Sequence, residues 1–395
     1  MFKRNVLAVS LTLAGLCAAQ AAMADVNGGG ATLPQPLYQT SGVLTAGFAP
    51  YIGVGSGAGK AAFLTNDYTK FVAGNTSKNV HWAGSDSKLS TTELNNYVTA
   101  HGAAWGPLIQ VPSVATSVAI PFNKTGTANV NLSVAQLCGV FAGTLTDWNQ
   151  ITGSGRSGPI TVTYRAESSG TTELFTRFLN AKCPTAVPAV PGTFAITTNF
   201  ASSYSLGLPA GAVAATGSQA VMDAVNAAQG RITYMSPDYA ATTLAGLDDA
   251  TKVARVAGVS PAPANVSAAI AAVTVPAAAN RANPNAWVPV FAATTNPSDP
   301  SVVAYPTTGY PILGFTNVIF SQCYANAAQT TQVRDFFTRH YNATAANSND
   351  AAITANRFVP LPAAWKQAVR SSFLTSTNAL SIGNTNVCNG IGRPL

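Results

Sequence analysis

Two long β-rich runs constrain the fold of this chain more than any other feature. Residues 108–122 and 310–320 are apolar, rich in β-branched and aromatic side chains, and broken by proline. Around them, short strand patterns alternate with helix patterns, which predicts an α/β protein. Within them, 118–122 and 311–320 read as crossovers between two lobes. One lobe then holds both chain ends, residues 25–117 plus 315–395. The other holds the middle, residues 118–314. Two crossings make a hinge, and a hinge permits closure on a ligand.

The first 24 residues read as a signal peptide. Lys3 and Arg4 form a basic start, an apolar stretch follows, and Ala22-Met23-Ala24 is a small-x-small cleavage site. The sequence therefore predicts an exported protein, periplasmic or secreted, with no membrane span in its mature part. The net charge of +7 falls to +5 once Lys3 and Arg4 leave. Basic residues nowhere run together, which argues against nucleic acid as a partner. The mild positive balance suits a small anion. Removal of Cys17 leaves Cys138, Cys183, Cys323 and Cys388. Export and an even count predict two disulfides, with three pairings open. The sequence-local pairing, Cys138–Cys183 and Cys323–Cys388, puts one bridge in each half. No cysteine or histidine spacing suggests a metal or cofactor.

Helix patterns begin at Ser90 or Thr91, at Ser133, at Ser218 and at Gln329. The alanine-rich stretch 262–286 reads as a short helix within a surface insertion. Residues 160–164 read as a strand that delivers Arg165 at its carboxyl end.

Four loops carry the chemistry. Gly28-Gly29-Gly30-Ala31-Thr32-Leu33-Pro34 lets the backbone approach a ligand, and its proline suits a helix start. The Thr32 and Leu33 amides would then face an anion. Gly53-Val54-Gly55-Ser56-Gly57-Ala58-Gly59-Lys60 invites comparison with a nucleotide P-loop and fails on register: Val54 and Ala61 stand where that motif needs glycine and a hydroxyl residue. A glycine turn presenting Ser56 remains. Ser85-Asp86-Ser87 places a carboxylate, which helps an anion only when that anion carries a proton to donate. Arg165-Ala166-Glu167-Ser168-Ser169-Gly170-Thr171-Thr172 supplies a guanidinium, a glutamate able to hold it by a bidentate pair, and the Ser169, Gly170 and Thr171 amides at a helix start. Read without a ligand, each loop is also an ordinary turn or cap.

Taken in order, residues 25–34, 53–57, 83–87 and 165–172 resemble the DING proteins, a branch of the bacterial periplasmic phosphate-binding proteins that serve ABC transporters. The resemblance spans the whole mature chain. Val26 stands where the name-giving motif has isoleucine, a conservative departure. The resemblance implies a type II, two-lobed Venus-flytrap fold with two hinge crossovers, and a monomer. It implies phosphate contacts from Thr32, Leu33 and Ser56 on one lobe, a proton acceptor at Asp86, and Arg165, Ser169, Gly170 and Thr171 on the other. It also implies disulfides within lobes.

Catalysis finds little support. His81, His101 and His340 lie in no nucleophile or metal motif, and no G-x-S-x-G elbow occurs. The sequence therefore predicts a receptor for inorganic phosphate that is not an enzyme and takes no cofactor. A secreted phosphatase, and a surface or biofilm interaction protein with secondary phosphate binding, are the alternatives from other classes.

Overall fold

A computed structural model of the chain describes residues 25–186 and 190–394. The signal peptide predicted for residues 1–24 lies outside the described residues. Two six-stranded sheets organise the molecule. The first runs Val359–Pro360, Leu108–Ser117, Leu313–Ser321, Trp82–Ser85, Gly28–Gly30, Ile52–Gly53. The second runs Asn131–Leu132, Val253–Val256, Ile120–Asn123, Arg231–Ile232, Thr161–Arg165, Val213–Ala215. This is the two-lobed α/β fold of the periplasmic binding proteins.

Each sheet contains a parallel trio. In the first, Gly28–Gly30 pairs parallel with Ile52–Gly53 and Trp82–Ser85. In the second, Thr161–Arg165 pairs parallel with Val213–Ala215 and Arg231–Ile232. Loops at the carboxyl ends of parallel strands are where α/β sheets bind ligands, because helix N-termini converge there. The helices Ser56–Thr65, Gly170–Ala186 and Ser218–Asn226 all start from such loops.

The lobe crossings differ from the sequence expectation. The chain first passes between sheets at residues 117–119, but Leu313–Ser321 is no crossover. That strand lies wholly in the first sheet, antiparallel to both Leu108–Ser117 and Trp82–Ser85. All nine of its residues are buried. A strand covered on both faces shows a continuous apolar run, which mimics a crossing segment. The second passage instead follows Val256, and the two passages touch: Ser117 Oγ donates to the Pro261 carbonyl at 2.9 Å.

The stretch 262–286 forms the expected short helix and is largely at the surface, but it is anchored to the first sheet. Its helix, Pro263–Ile270, buries Val266, Ala269 and Ile270. Trp287 packs on Phe373 with ring centroids 5.1 Å apart, and Trp365 Nε1 donates to the Val273 carbonyl at 3.0 Å. The segment therefore rides on the first sheet. Ser90 and Ser133 form complete capping boxes with Glu93 and Gln136, as their positions before helix patterns predict. The disulfides join Cys138 to Cys183 and Cys323 to Cys388. The first ties helix Val134–Phe141 to helix Gly170–Ala186.

Candidate functional site

The first lobe builds its share of the site from strand ends packed at close range. Gly30 has φ +133°, and a Cβ there would lie 2.2 Å from the Gly84 carbonyl oxygen, so only glycine fits. The Gly30 carbonyl accepts from the Val54 and Gly55 amides at 2.8 Å each, which draws the loops at 31–33 and 54–57 together. Thr32 and Leu33 are buried at the end of the first of these loops. Gly55, at φ 95°, turns the chain into the helix that Ser56 opens. Ser56 Oγ accepts from the Asp86 amide at 3.0 Å.

In the second lobe, Arg165 ends its strand with 2 % of its surface exposed. Its Nε donates to Glu167 Oε1 at 2.6 Å, and its Nη2 donates to the same oxygen. The sequence suggested a bidentate pair; the guanidinium fork instead meets one carboxylate oxygen. The Gly217 amide also donates to Oε1, at 3.1 Å. Three donors thus fix Glu167, and Glu167 fixes Arg165. Ser169 Oγ accepts from the Thr172 amide at 3.2 Å, which caps the seventeen-residue helix Gly170–Ala186.

Contacts across the cleft bring the two halves together. Thr171 Oγ1 donates to Asp86 Oδ2 at 3.2 Å, Thr32 Oγ1 lies 2.9 Å from Ser218 Oγ, and the Gly57 amide donates to the Ser168 carbonyl at 3.3 Å. Asp86 is 4 % exposed. Burial pushes its carboxyl up to about 6; the Thr316 hydroxyl, the Arg165 charge, and hydrogen bonds from Thr171 and Ser56 pull the other way. Its Oδ2 takes the Thr171 hydroxyl, whereas its Oδ1 has no hydrogen-bond partner among the described residues.

Gly170 marks how tightly the lobes meet. A Cβ there would lie 2.5 Å from Ser56 Oγ, 2.6 Å from Asp86 Cβ and 2.8 Å from the Ser87 amide nitrogen. Gly170→Ala is expected to prop the cleft open and weaken ligand binding by roughly 10- to 100-fold, since overpacking costs about 1–3 kcal/mol. Titration calorimetry checks this, with an unchanged melting temperature in the absence of ligand as the control for folding.

The structure therefore gathers Thr32, Ser56, Asp86, Arg165, Gly170 and Thr171 around one cleft, with Leu33 and Ser169 beside them in the same loops. Three further participants went unread in the sequence. Ser218 Oγ accepts from Arg165 Nη1 at 3.3 Å and bridges to Thr32. Tyr234 Oη accepts from the Arg165 amide at 3.3 Å and bonds Thr172 Oγ1 at 2.7 Å. Thr316, on strand Leu313–Ser321 of the first sheet, acts on the Asp86 carboxyl, and its buried Oγ1 has no hydrogen-bond partner among the described residues. A signal for Ser218 was available: Gly217 at φ 84° before a helix-opening serine repeats the arrangement of Gly55 and Ser56.

The cleft carries one cation already matched by Glu167, one buried carboxylate, and a ring of hydroxyls and amides. Such a set can hold a small oxyanion by hydrogen bonds from neutral donors, and the unpartnered Asp86 Oδ1 can accept from a protonated one.

Fold and site agree with the matches to known proteins. A PBP superfamily domain matches residues 19–340. The chain belongs to this superfamily. A solved structure of PfluDING, described as a high-affinity periplasmic phosphate-binding protein bound with phosphate at pH 8.5, is 73% identical, with a TM-score of 0.90, covering 94% of this chain and 100% of that one. A curated "Phosphate-binding protein" from an unknown prokaryotic organism is 69% identical over 94% of this chain and 100% of its own length. "Alkaline phosphatase L" of Pseudomonas aeruginosa strain UCBPP-PA14 is 76% identical over 100% of both chains. Within the superfamily, the chain is a member of the DING family of phosphate-binding proteins.

Proposed function

We propose that this protein binds inorganic phosphate between its lobes with high affinity and without catalysis, for uptake through an ABC transporter or for extracellular scavenging. The observation that carries the reading is Asp86: a buried carboxylate with a free acceptor oxygen, set among neutral donors and facing Arg165. Monohydrogen phosphate can donate to that oxygen, and sulfate cannot. Thr32 and Leu33, Ser56, Arg165, and Ser169, Gly170 and Thr171 supply the donors, and Glu167 orients Arg165. The moving bodies are the two sheets with their helices: residues 25–117 and 263–395 on one side, and residues 118–256 on the other. Export to the periplasm or beyond fits the disulfides and the predicted signal peptide.

The relatives named as alkaline phosphatases favour a second reading, phosphomonoester hydrolysis. Among the described residues, the histidines lie apart from the cleft hydroxyls and act elsewhere in the fold. His81 accepts from the Asn27 amide at 3.0 Å and lies 2.9 Å from Gln329 Nε2. His340 lies 2.9 Å from Ser113 Oγ. His101 stacks on Trp105 with centroids 3.7 Å apart, on the first lobe. No hydrogen bond links any of them to Ser56, Thr171 or Ser169. Calorimetry with phosphate, paired with a p-nitrophenyl phosphate assay on the same preparation, separates the readings. Saturable phosphate binding with no turnover that survives purification is expected. Turnover that co-purifies with the protein and vanishes in Arg165→Ala overturns the non-catalytic reading.

A further inference from the structure

Outside the anion-contacting loops, the charged side chain of Arg357 spans the lobes. Arg357 belongs to the first: it lies between helix Asp350–Ala355 and strand Val359–Pro360, which pairs with Leu108–Ser117. Its guanidinium reaches the second lobe. Nη2 donates to the Asp238 carbonyl at 3.0 Å, and Nη1 donates to the Thr242 carbonyl at 3.0 Å and to the Ala355 carbonyl at 3.2 Å. Asp238 sits on the short helix Pro237–Ala240, just after the isolated bridge from Met235 to Ala119 at the first crossing.

The backbone of Arg357 is the second observation. Its φ is 66°, in the left-handed region that arginine disfavours. Helix Asp350–Ala355 ends there in a Schellman motif: the Arg357 amide donates to the Thr354 carbonyl at 2.8 Å and the Phe358 amide to the Ile353 carbonyl at 3.1 Å. That position favours glycine. An arginine is held there against local preference, and its side chain is the one part that reaches across.

The third observation is what surrounds it. Asp238 is 8 % exposed, and Asp238 Oδ2, Ser236 Oγ and Arg357 Nε are all buried without a hydrogen-bond partner among the described residues. Burial pushes the Asp238 carboxyl up to about 8, and the Arg357 charge draws it down. Such groups are better solvated when the lobes part, so the contact to the two carbonyls must offset that loss on closure. The segment also adjoins the anion site, because the charge of Arg165 acts on the neighbouring Tyr239 phenol.

We infer that Arg357 is an affinity-setting latch: it contacts no ligand, and it favours the closed form by binding the Asp238 and Thr242 carbonyls of the opposite lobe. The inference rests on the phosphate reading above. A residue that stabilises only the closed form changes apparent affinity through the population of that form. It should act mostly on dissociation, since opening precedes release.

Arg357→Gly tests this, because glycine suits the left-handed turn and leaves the helix end intact. The unliganded variant is expected to melt at or above the parent temperature, while phosphate affinity falls by roughly 10-fold through faster dissociation, in line with the loss of charged hydrogen bonds. Arg357→Lys, which keeps the charge but not the planar fork, should fall between the two. Stopped-flow release with a phosphate-scavenging reporter and calorimetry supply the readouts. Parental affinity and release rate in Arg357→Gly overturn the latch. So does a loss of affinity matched by a lower melting temperature without ligand. Absence of phosphate binding in the parent would instead overturn the functional reading itself.

Discussion

Replacing Arg165 by alanine is expected to weaken phosphate binding by roughly three orders of magnitude, about 4 kcal/mol. The size of the effect has two sources. Arg165 is the cation of the cleft, 2 % exposed, and its Nη1 reaches Ser218 Oγ, which itself lies against Thr32. Removing it also strands Glu167. In the parent, Glu167 Oε1 takes Nε, Nη2 and the Gly217 amide. In the variant only the amide remains, so a partly buried carboxylate faces the incoming anion. The double variant Arg165→Ala/Glu167→Ala is therefore expected to bind phosphate about 10-fold more tightly than Arg165→Ala alone. Calorimetry on both measures this. An unchanged dissociation constant in Arg165→Ala would remove Arg165 from the site. A double variant no better than the single one would show that Glu167 only positions the guanidinium and adds no repulsion.

The loops that carry this chemistry were legible in the sequence because their grammar is local. A glycine, then a hydroxyl residue, then a helix pattern reads as a set of free amides wherever it falls, and the runs at 28–34, 53–57 and 165–172 all have it. The same grammar at Gly217-Ser218 passed unnoticed, because its relevance depends on strand Val213–Ala215 lying beside Thr161–Arg165, a tertiary fact. Strand Leu313–Ser321 reads as a crossover for a related reason: burial on both faces removes the alternation that would place it inside a sheet. The alanine-rich stretch 262–286 looked like an insertion because alanine carries little hydrophobic signal. Its anchors, Val266, Ala269 and Ile270, together with Trp287 just beyond it, meet only on the first sheet. Arg357 was invisible for a further reason: its turn conformation belongs to glycine, and an arginine in that place announces nothing until its reach is seen.

Asp86→Asn is expected to collapse discrimination between phosphate and sulfate, by up to roughly 10⁴-fold, because a site built to accept a ligand proton rejects an anion that has none. In the parent, sulfate brings two charges and no donor to a carboxylate buried to 4 % exposure, leaving acceptor against acceptor in a dry cleft. An asparagine at that place can turn its amide donors toward the anion. Phosphate affinity should fall far less than sulfate affinity rises. The parent itself supplies a second test through pH. Burial pushes the Asp86 carboxyl up to about 6, so below that pH it is protonated and can donate to a sulfate oxygen. Sulfate affinity of the parent is then expected to rise as pH falls from 8 to 5, whereas in Asp86→Asn it should stay flat. The same shift bears on stability without ligand. A carboxyl that holds its proton more tightly folded than unfolded favours the folded state at low pH, and that contribution is lost between about 4 and about 6. Sulfate rejection that survives in Asp86→Asn would move selectivity from the carboxylate to the shape of the donor ring.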